Sequence, residues 1–192
     1  SDFTKMNSEV QKIVEDYDFG SVIFFANNIK ETEQSFDLTM DLQKAATKDN
    51  GIPLLITTDQ EGGIVYRLGS GTALPGNMAL GATGDVNNAK IAGEIIGSEL
   101  SSLGINTTLA PVVDVNNNAN NPVIGLRSYG EDAEMVGKMA SAEIEGLAEY
   151  NVIGCAKHFP GHGDTATDSH YGLPMVNKSK EELLNNELKP YQ

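Results

Sequence analysis

Apolar positions along the chain follow two spacings in turn, one helical and one strand-like. Residues 2–16 carry Phe3, Met6, Val10, Ile13 and Val14 at helical spacing. Residues 20–26 are a short apolar run rich in β-formers, expected as a buried strand. Residues 31–49 return to the helical pattern, with Phe36, Leu38, Met40, Leu42 and Ala45 among polar neighbours. Residues 53–57 read as a second strand. Residues 86–103 read as a helix, with Asp85 as its N-cap and Gly104 at its end. Residues 105–113 form the third strand. Residues 131–149 form a helix whose first turn holds Glu131, Asp132 and Glu134, the favourable charge for that end. Residues 152–156 are the fourth strand. Residues 179–189 are a last helix, with Ser179 as cap and Glu182 at its third helical position.

The order is α-β-α-β-α-β-α-β-α. Strict alternation with continuous apolar strands implies a parallel α/β sheet covered by helices. An open doubly wound sheet and an arc of a (β/α)8 barrel both fit. Polar and ionisable residues stand at the ends of three strands: Asp59 beyond Ile56, Asp114 after Val113, and Lys157 with His158 after Ala156. Functional residue types at successive strand ends suit the top of a TIM-type barrel. The first strand runs into Asn27-Asn28-Ile29 rather than a glycine-rich phosphate turn, which counts against a dinucleotide fold. A complete barrel needs eight strands and typically ~250 residues, whereas these 192 residues supply about four βα units. The expectation is one partial barrel domain over 1–192, truncated at both ends.

Charge narrows the partner. Lys and Arg number 13 against 27 Asp and Glu, a net −14. Phosphate backbones and anionic membranes repel such a surface, leaving neutral or cationic substrates. No apolar run reaches the roughly 18 residues of a membrane span, and the chain start does not read as a signal peptide. Nothing in the sequence marks a compartment. Cys155 is the single cysteine, so there is no intrachain disulfide and no multi-cysteine metal site.

The chemistry concentrates in residues 157–174. All three histidines, His158, His162 and His170, lie there with Lys157, Asp164 and Asp168. Pro160, Gly161, Gly163, Gly172 and Pro174 make the segment a loop with sharp turns. Lys157 and His158 leave a strand and would point to opposite faces if it stayed extended. Asp168 and His170 are two apart, so a carboxylate can fix one imidazole nitrogen and leave the other to exchange a proton. No His-x3-His or His-Glu-x-x-His spacing is present, which disfavours a metal. Residues 114–125 open like a calcium loop but have Ala119 at the sixth position and Gly125 at the twelfth, where glycine and glutamate are needed. They read as a polar loop with Asn turn residues. Gly69, Gly71 and Gly76 match neither a dinucleotide fingerprint nor a P-loop.

Four segments in order carry a resemblance: Thr58-Asp59-Gln60-Glu61-Gly62-Gly63 with Arg67, Leu109 to Val115, Arg127 to Asp132, and the histidine-rich loop Lys157 to Pro174. Together they resemble glycoside hydrolase family 3, in its bacterial β-N-acetylglucosaminidase branch, over nearly the whole chain. The Asp168-x-His170 element selects that branch over β-glucosidases. The resemblance implies a retaining exo-glycosidase acting on terminal β-linked N-acetylglucosamine, as in peptidoglycan fragments, without cofactor. It implies His170 as general acid/base, Asp168 as its dyad partner, and Asp59, Arg67, Arg127, Lys157 and His158 as sugar-holding residues. The family's nucleophilic aspartate lies on a later strand, so the chain alone is expected to be inactive. A neutral histidine repels anions less than a carboxylate does, so phosphate is expected to compete with water as acceptor. On residue type alone, Asp59 also suits turn capping, Arg127 a solvated ion pair with Glu131 or Asp132, and Lys157 a rim charge. His162 and Asp164 read as loop structure. The alternative reading is a non-catalytic carbohydrate-binding module.

Overall fold

The computed structural model describes residues 3–49, 51–168 and 170–192. The helices are α1 (Ser8–Tyr17), α2 (Thr32–Ala46), α3 (Asn77–Ala82), α4 (Val86–Ser102), α5 (Ala133–Ala148) and α6 (Lys180–Asn185). The strands are β1 (Ser21–Phe24), β2 (Leu55–Thr58), β3 (Thr107–Thr108) and β4 (Ile153–Gly154), and 3-10 turns cover Gly125–Arg127 and Lys189–Tyr191. The strands form one sheet in the order β1-β2-β3-β4. Every pairing is parallel, from Ser21 opposite Leu55 to Thr108 opposite Gly154. Sequential order without a reversal is the arrangement of an arc of a (β/α) barrel; a doubly wound sheet would reverse at a switch point. The chain is therefore α/β and a partial TIM-type barrel.

Local chemistry sets the helix ends. The α1 helix begins at Ser8 because Asn7 accepts from the Val10 amide, a cap worth about 1 kcal/mol. The helix expected over 2–16 is thus too long at its start. Phe3 and Met6 pack on the core instead of extending it, and positions 1 and 2 lie outside the described residues. Asp85 caps α4 through the Asn87 amide, and Gly104 follows its end at φ +73°. Asp132 caps α5, so Glu131 falls outside the helix. Ser179 and Glu182 form a reciprocal capping box on α6. That helix ends at Asn185 rather than 189, and the chain turns again into Lys189–Tyr191.

Two core clusters sit behind the sheet. One joins Val14, Phe24, Leu38, Leu42, Ile56, Ile96, Leu100 and Ile105. The other joins Leu80, Ala89, Ala92, Val113, Val136, Met139 and Ala140 between α3, α4 and α5. The last two helices lie close enough that a methyl on Gly93 would strike the Glu143 carbonyl. Burial alternates along β1 and β2, where Phe24 and Ile56 are covered and Ile23 and Leu55 exposed, whereas both residues of β3 are buried. The strand expected over 105–113 shrinks to Thr107–Thr108, since Pro111 has no N–H for the ladder. Pairing resumes at a parallel bridge between Val112 and Lys157. No helix is long and apolar enough to cross a membrane among the described residues.

Candidate functional site

The segments that follow the C-terminal ends of the four strands converge on a network of charges. Lys157 Nζ donates to Asp59 Oδ1 at 2.8 Å and meets Glu61 Oε1 at 2.6 Å. Arg127 grips Glu61 side-on, with Nε on Oε2 and Nη2 on Oε1, both at 2.8 Å. Arg67 Nη2 approaches Asp59 Oδ2 at 3.6 Å, and its guanidinium lies 6.0 Å from the Phe25 ring centre. Gln60 places Arg67 by accepting from its backbone amide at 2.8 Å. With a neutral His158 the network is formally balanced: Asp59, Glu61 and Asp114 against Arg67, Arg127 and Lys157. Burial opposes the charged form of Arg127, but the carboxylates of Glu61, Asp114 and Asp59 together, Glu61 foremost, hold the guanidinium above its ordinary pKa.

His158 closes the network. Its Nδ1 lies 2.6 Å from Asp114 Oδ2 and its Nε2 lies 3.3 Å from Arg127 Nη2. A guanidinium only donates, so Nε2 accepts and Nδ1 carries the proton given to Asp114. Asp114 is fully buried, and its Oδ1 also accepts from the His162 amide at 2.6 Å. The Lys157–His158 peptide is cis, and both side chains reach the same cluster. The opposite-face placement expected of an extended pair is corrected accordingly.

Asp168 and His170 form a dyad on the loop after β4. Asp168 Oδ1 accepts from the His170 backbone amide at 2.9 Å and lies 2.7 Å from His170 Nδ1. The backbone bond first, and the imidazole second, lower the Asp168 pKa. The His170 side chain is 78% exposed. With Nδ1 occupied, Nε2 is the nitrogen that faces outward to exchange a proton. Among the described residues no hydrogen bond or ion pair links the dyad to the Asp59 network.

The structure therefore gathers Asp59, Arg67, Arg127, Lys157 and His158 into one network and holds Asp168 and His170 as a separate pair on the loop that follows β4. Arg127 pairs with Glu61, and neither Glu131 nor Asp132 is its partner. His162 and Asp164 serve the loop: His162 Nδ1 faces Thr165 Oγ1, and Asp164 pairs with Lys178. Asn118 and Asn121 donate to carbonyls at 162–165, the structural use expected of that loop. Glu61 has no assigned role in the sequence reading and Asp114 stands there only as a strand-end carboxylate, yet both are central. Glu61 was readable as the residue two beyond Asp59, on the same side of an extended segment. Asp114 was readable as a carboxylate closing an apolar strand. Among the described residues no three His, Cys, Asp or Glu side chains converge as a metal cradle.

The arrangement can hold a polyhydroxylated ligand, because its carboxylates accept and its cations donate in alternation. The sequence model of the Glycosyl hydrolase family 3 N terminal domain matches residues 2–192. The protein named Beta-hexosaminidase A from Pseudoalteromonas piscicida is 43% identical over 98% of this chain and 32% of its own length. The solved structure of a glycoside hydrolase family 3 beta-N-acetylglucosaminidase from Paenibacillus sp. superposes with a TM-score of 0.95 at 45% identity, over 98% of this chain and 36% of that one. NagZ from Neisseria gonorrhoeae, solved in complex with N-trifluoroacetyl-D-glucosamine, gives a TM-score of 0.92 at 33% identity, over 100% of this chain and 57% of its own. The chain thus spans about a third of the first two relatives and somewhat over half of the third.

Proposed function

The chain belongs to glycosyl hydrolase family 3, and from that premise we propose that it is the sugar-binding and acid/base part of a retaining exo-β-N-acetylglucosaminidase. The observation that carries the reading is the convergence of Asp59, Arg67, Arg127, Lys157 and His158 into one balanced network, with the Asp168–His170 dyad on the loop that leads on from Lys157 and His158. In this reading those five residues hold the terminal sugar. Terminal β-linked N-acetylglucosamine, as in peptidoglycan fragments, is the substrate class, and the N-trifluoroacetyl-D-glucosamine complex of the Neisseria gonorrhoeae protein supports it.

The chemistry divides between two carboxylates and one imidazole. In the first step a carboxylate attacks the anomeric carbon. The glycosidic C–O bond breaks, and the leaving oxygen takes the proton from His170 Nε2. Asp168, holding Nδ1, stabilises the imidazolium that gives up this proton. In the second step water attacks the same carbon, His170 Nε2 takes its proton, and the carboxylate leaves. The family resemblance puts the nucleophilic aspartate on a later strand, so the reading assigns it to a carboxylate outside residues 1–192.

The test is product stereochemistry. The full-length protein acting on an aryl β-N-acetylglucosaminide should release the β-anomer first, seen by proton NMR before mutarotation. Initial release of the α-anomer, or binding of the sugar without turnover, would sink the proposal; the second result would point to a carbohydrate-binding module.

A further inference from the structure

The loop that carries Asp168 and His170 leaves the fold at one neck, and a single buried carboxylate closes that neck. Glu187 is 1% exposed. Its Oε1 accepts from Asn117 Nδ2 at 2.9 Å, from Asn186 Nδ2 at 3.0 Å and from Lys178 Nζ. Lys178 reaches back to Asp164 Oδ2 at 2.9 Å. Asp164 stands where the loop departs and Lys178 where it returns, so one ammonium ties the two ends together. Gly161 seals the clasp at φ +138°: a Cβ there would sit 2.7 Å from Glu187 Cβ.

Beyond the neck the loop has its own organisation. The Tyr171 and Gly172 amides donate back to the Asp168 carbonyl at 3.0 and 3.1 Å. Tyr171 and Leu173 are 90% and 81% exposed. Among the described residues, the hydrogen bonds made by this tip stay within it. The position of His170 relative to the sugar network is therefore set where the loop is attached, through Asn118 and Asn121 on one side and the Lys178 clasp on the other.

We propose that the Asp164–Lys178–Glu187 clasp is a positioning device for the acid/base, touching neither sugar nor leaving group. It rests on the reading of His170 as acid/base. Burial disfavours the charged forms of both Lys178 and Glu187. Their pairing overcomes this, raising the Lys178 pKa and lowering that of Glu187. Loss of the ammonium leaves Asp164 and Glu187 as two carboxylates at one neck, which drives the loop ends apart.

The experiment compares Lys178→Met, Lys178→Arg, Glu187→Gln and His170→Ala in the full-length enzyme. The inhibition constant for N-acetylglucosamine reports the Asp59 network and should stay within about two-fold in all four, showing that the fold is intact. For Lys178→Met and Glu187→Gln, kcat/KM on a poor leaving group should fall roughly 10- to 100-fold more than on an activated aryl glycoside, since misplacement on the scale of 1 Å costs that much. Lys178→Arg should restore most of the loss. Chymotrypsin cleavage after Tyr171 should speed up about ten-fold or more in Lys178→Met, as local opening exposes the tip. If His170→Ala shows the leaving-group dependence and Lys178→Met does not, the clasp proposal is overturned and the acid/base reading stands. If His170→Ala itself lacks it, the acid/base reading has failed. Cleavage then decides the clasp: an unchanged rate overturns it, and a faster rate upholds it as the fastening of the loop.

Discussion

Glu61 and Arg127 meet side-on, guanidinium edge to carboxylate edge, with both hydrogen bonds at 2.8 Å. Glu61 also receives Lys157 at 2.6 Å, so one buried carboxylate orders two cations that the proposed sugar site uses. Glu61→Ala should destabilise the protein by about 3 kcal/mol in urea unfolding, because it leaves buried cations short of a partner. Glu61→Gln keeps the shape and should cost less. Both should weaken N-acetylglucosamine binding, measured by calorimetry. Unchanged stability and affinity in Glu61→Ala would mean that Arg127 and Lys157 are held by other contacts.

Asp114 imposes a tautomer on His158. Its two oxygens accept from His158 Nδ1 and from the His162 amide, both at 2.6 Å. In Asp114→Asn the new NH2 must face one of these donors. If His158 moves its proton to Nε2 to escape the conflict, that proton faces the Arg127 guanidinium, which also only donates. Either way a buried donor loses its acceptor, at roughly 1–3 kcal/mol. Stability should fall by that amount and sugar affinity about ten-fold or more. Nitrogen-15 NMR of the unmodified protein should show His158 protonated at Nδ1; an Nε2–H signal would refute the tautomer and the argument built on it.

How much of this was legible beforehand varies with the length of the interactions involved. Each of the four strands left a local signature, and Asp85 and Ser179 announced their helix starts, because caps act within three residues. The six-residue helix α3 was missed, since it is too short to show a period and is placed by tertiary contact: a Cβ on Gly81 would run into the Tyr129 carbonyl. The extent of β3 was overestimated because apolar residues continue past Pro111, where the ladder cannot. In the site, residue types at strand ends pointed to Asp59, Lys157 and His158, whereas pairings such as Glu61 with Arg127 span 66 positions and leave no local trace. The Asp168–His170 dyad was legible because its two members are neighbours. The clasp was not, since Glu187 and Asn117 lie 70 positions apart.

Glu143 gives the protein a pH-dependent stability of predictable sign. It is 1% exposed within α5, accepts a hydrogen bond from the Tyr129 hydroxyl, and its Oε1 has no partner among the described residues. Burial raises its pKa from an ordinary 4.5 to about 7; the Tyr129 bond opposes the shift and the Glu61 charge adds to it. The neutral form is the one the fold prefers. Stability from this group is therefore complete below pH 4.5, falls as the unfolded chain ionises first, and is lost as pH rises through about 7. Glu143→Gln cannot ionise, so the difference in unfolding free energy between variant and parent should shift in the variant's favour between pH 5 and 8, on the order of 3 kcal/mol. Parallel stability profiles across that range would show that Glu143 is charged throughout.

The proposed division of labour between His170 and Asp168 has a kinetic signature. A leaving group of low pKa departs with little protonation, so His170→Ala should cost less on an activated aryl glycoside than on a natural glycan, with a difference of roughly 10- to 100-fold in kcat/KM. The second step still needs a base, so a glycosyl-enzyme should accumulate with the activated substrate and appear in intact-protein mass spectrometry. Azide needs no base and should raise the turnover of His170→Ala, giving a glycosyl azide. Asp168→Ala removes the carboxylate that fixes Nδ1 at 2.7 Å but leaves the imidazole itself. It should therefore act in the same direction and more weakly. The Asp168 carboxyl is held below its ordinary pKa, chiefly by the His170 backbone amide, so it stays ionised at neutral pH and supports the imidazolium throughout that range. Its support is present above the ordinary carboxylate pKa and is lost as pH falls through the lowered value. The acid limb of the kcat/KM profile should accordingly change shape in Asp168→Ala while the sugar inhibition constant does not. Equal impairment of His170→Ala on good and poor leaving groups, with no intermediate and no azide rescue, would remove His170 from the acid/base role and leave it a structural residue of the loop tip.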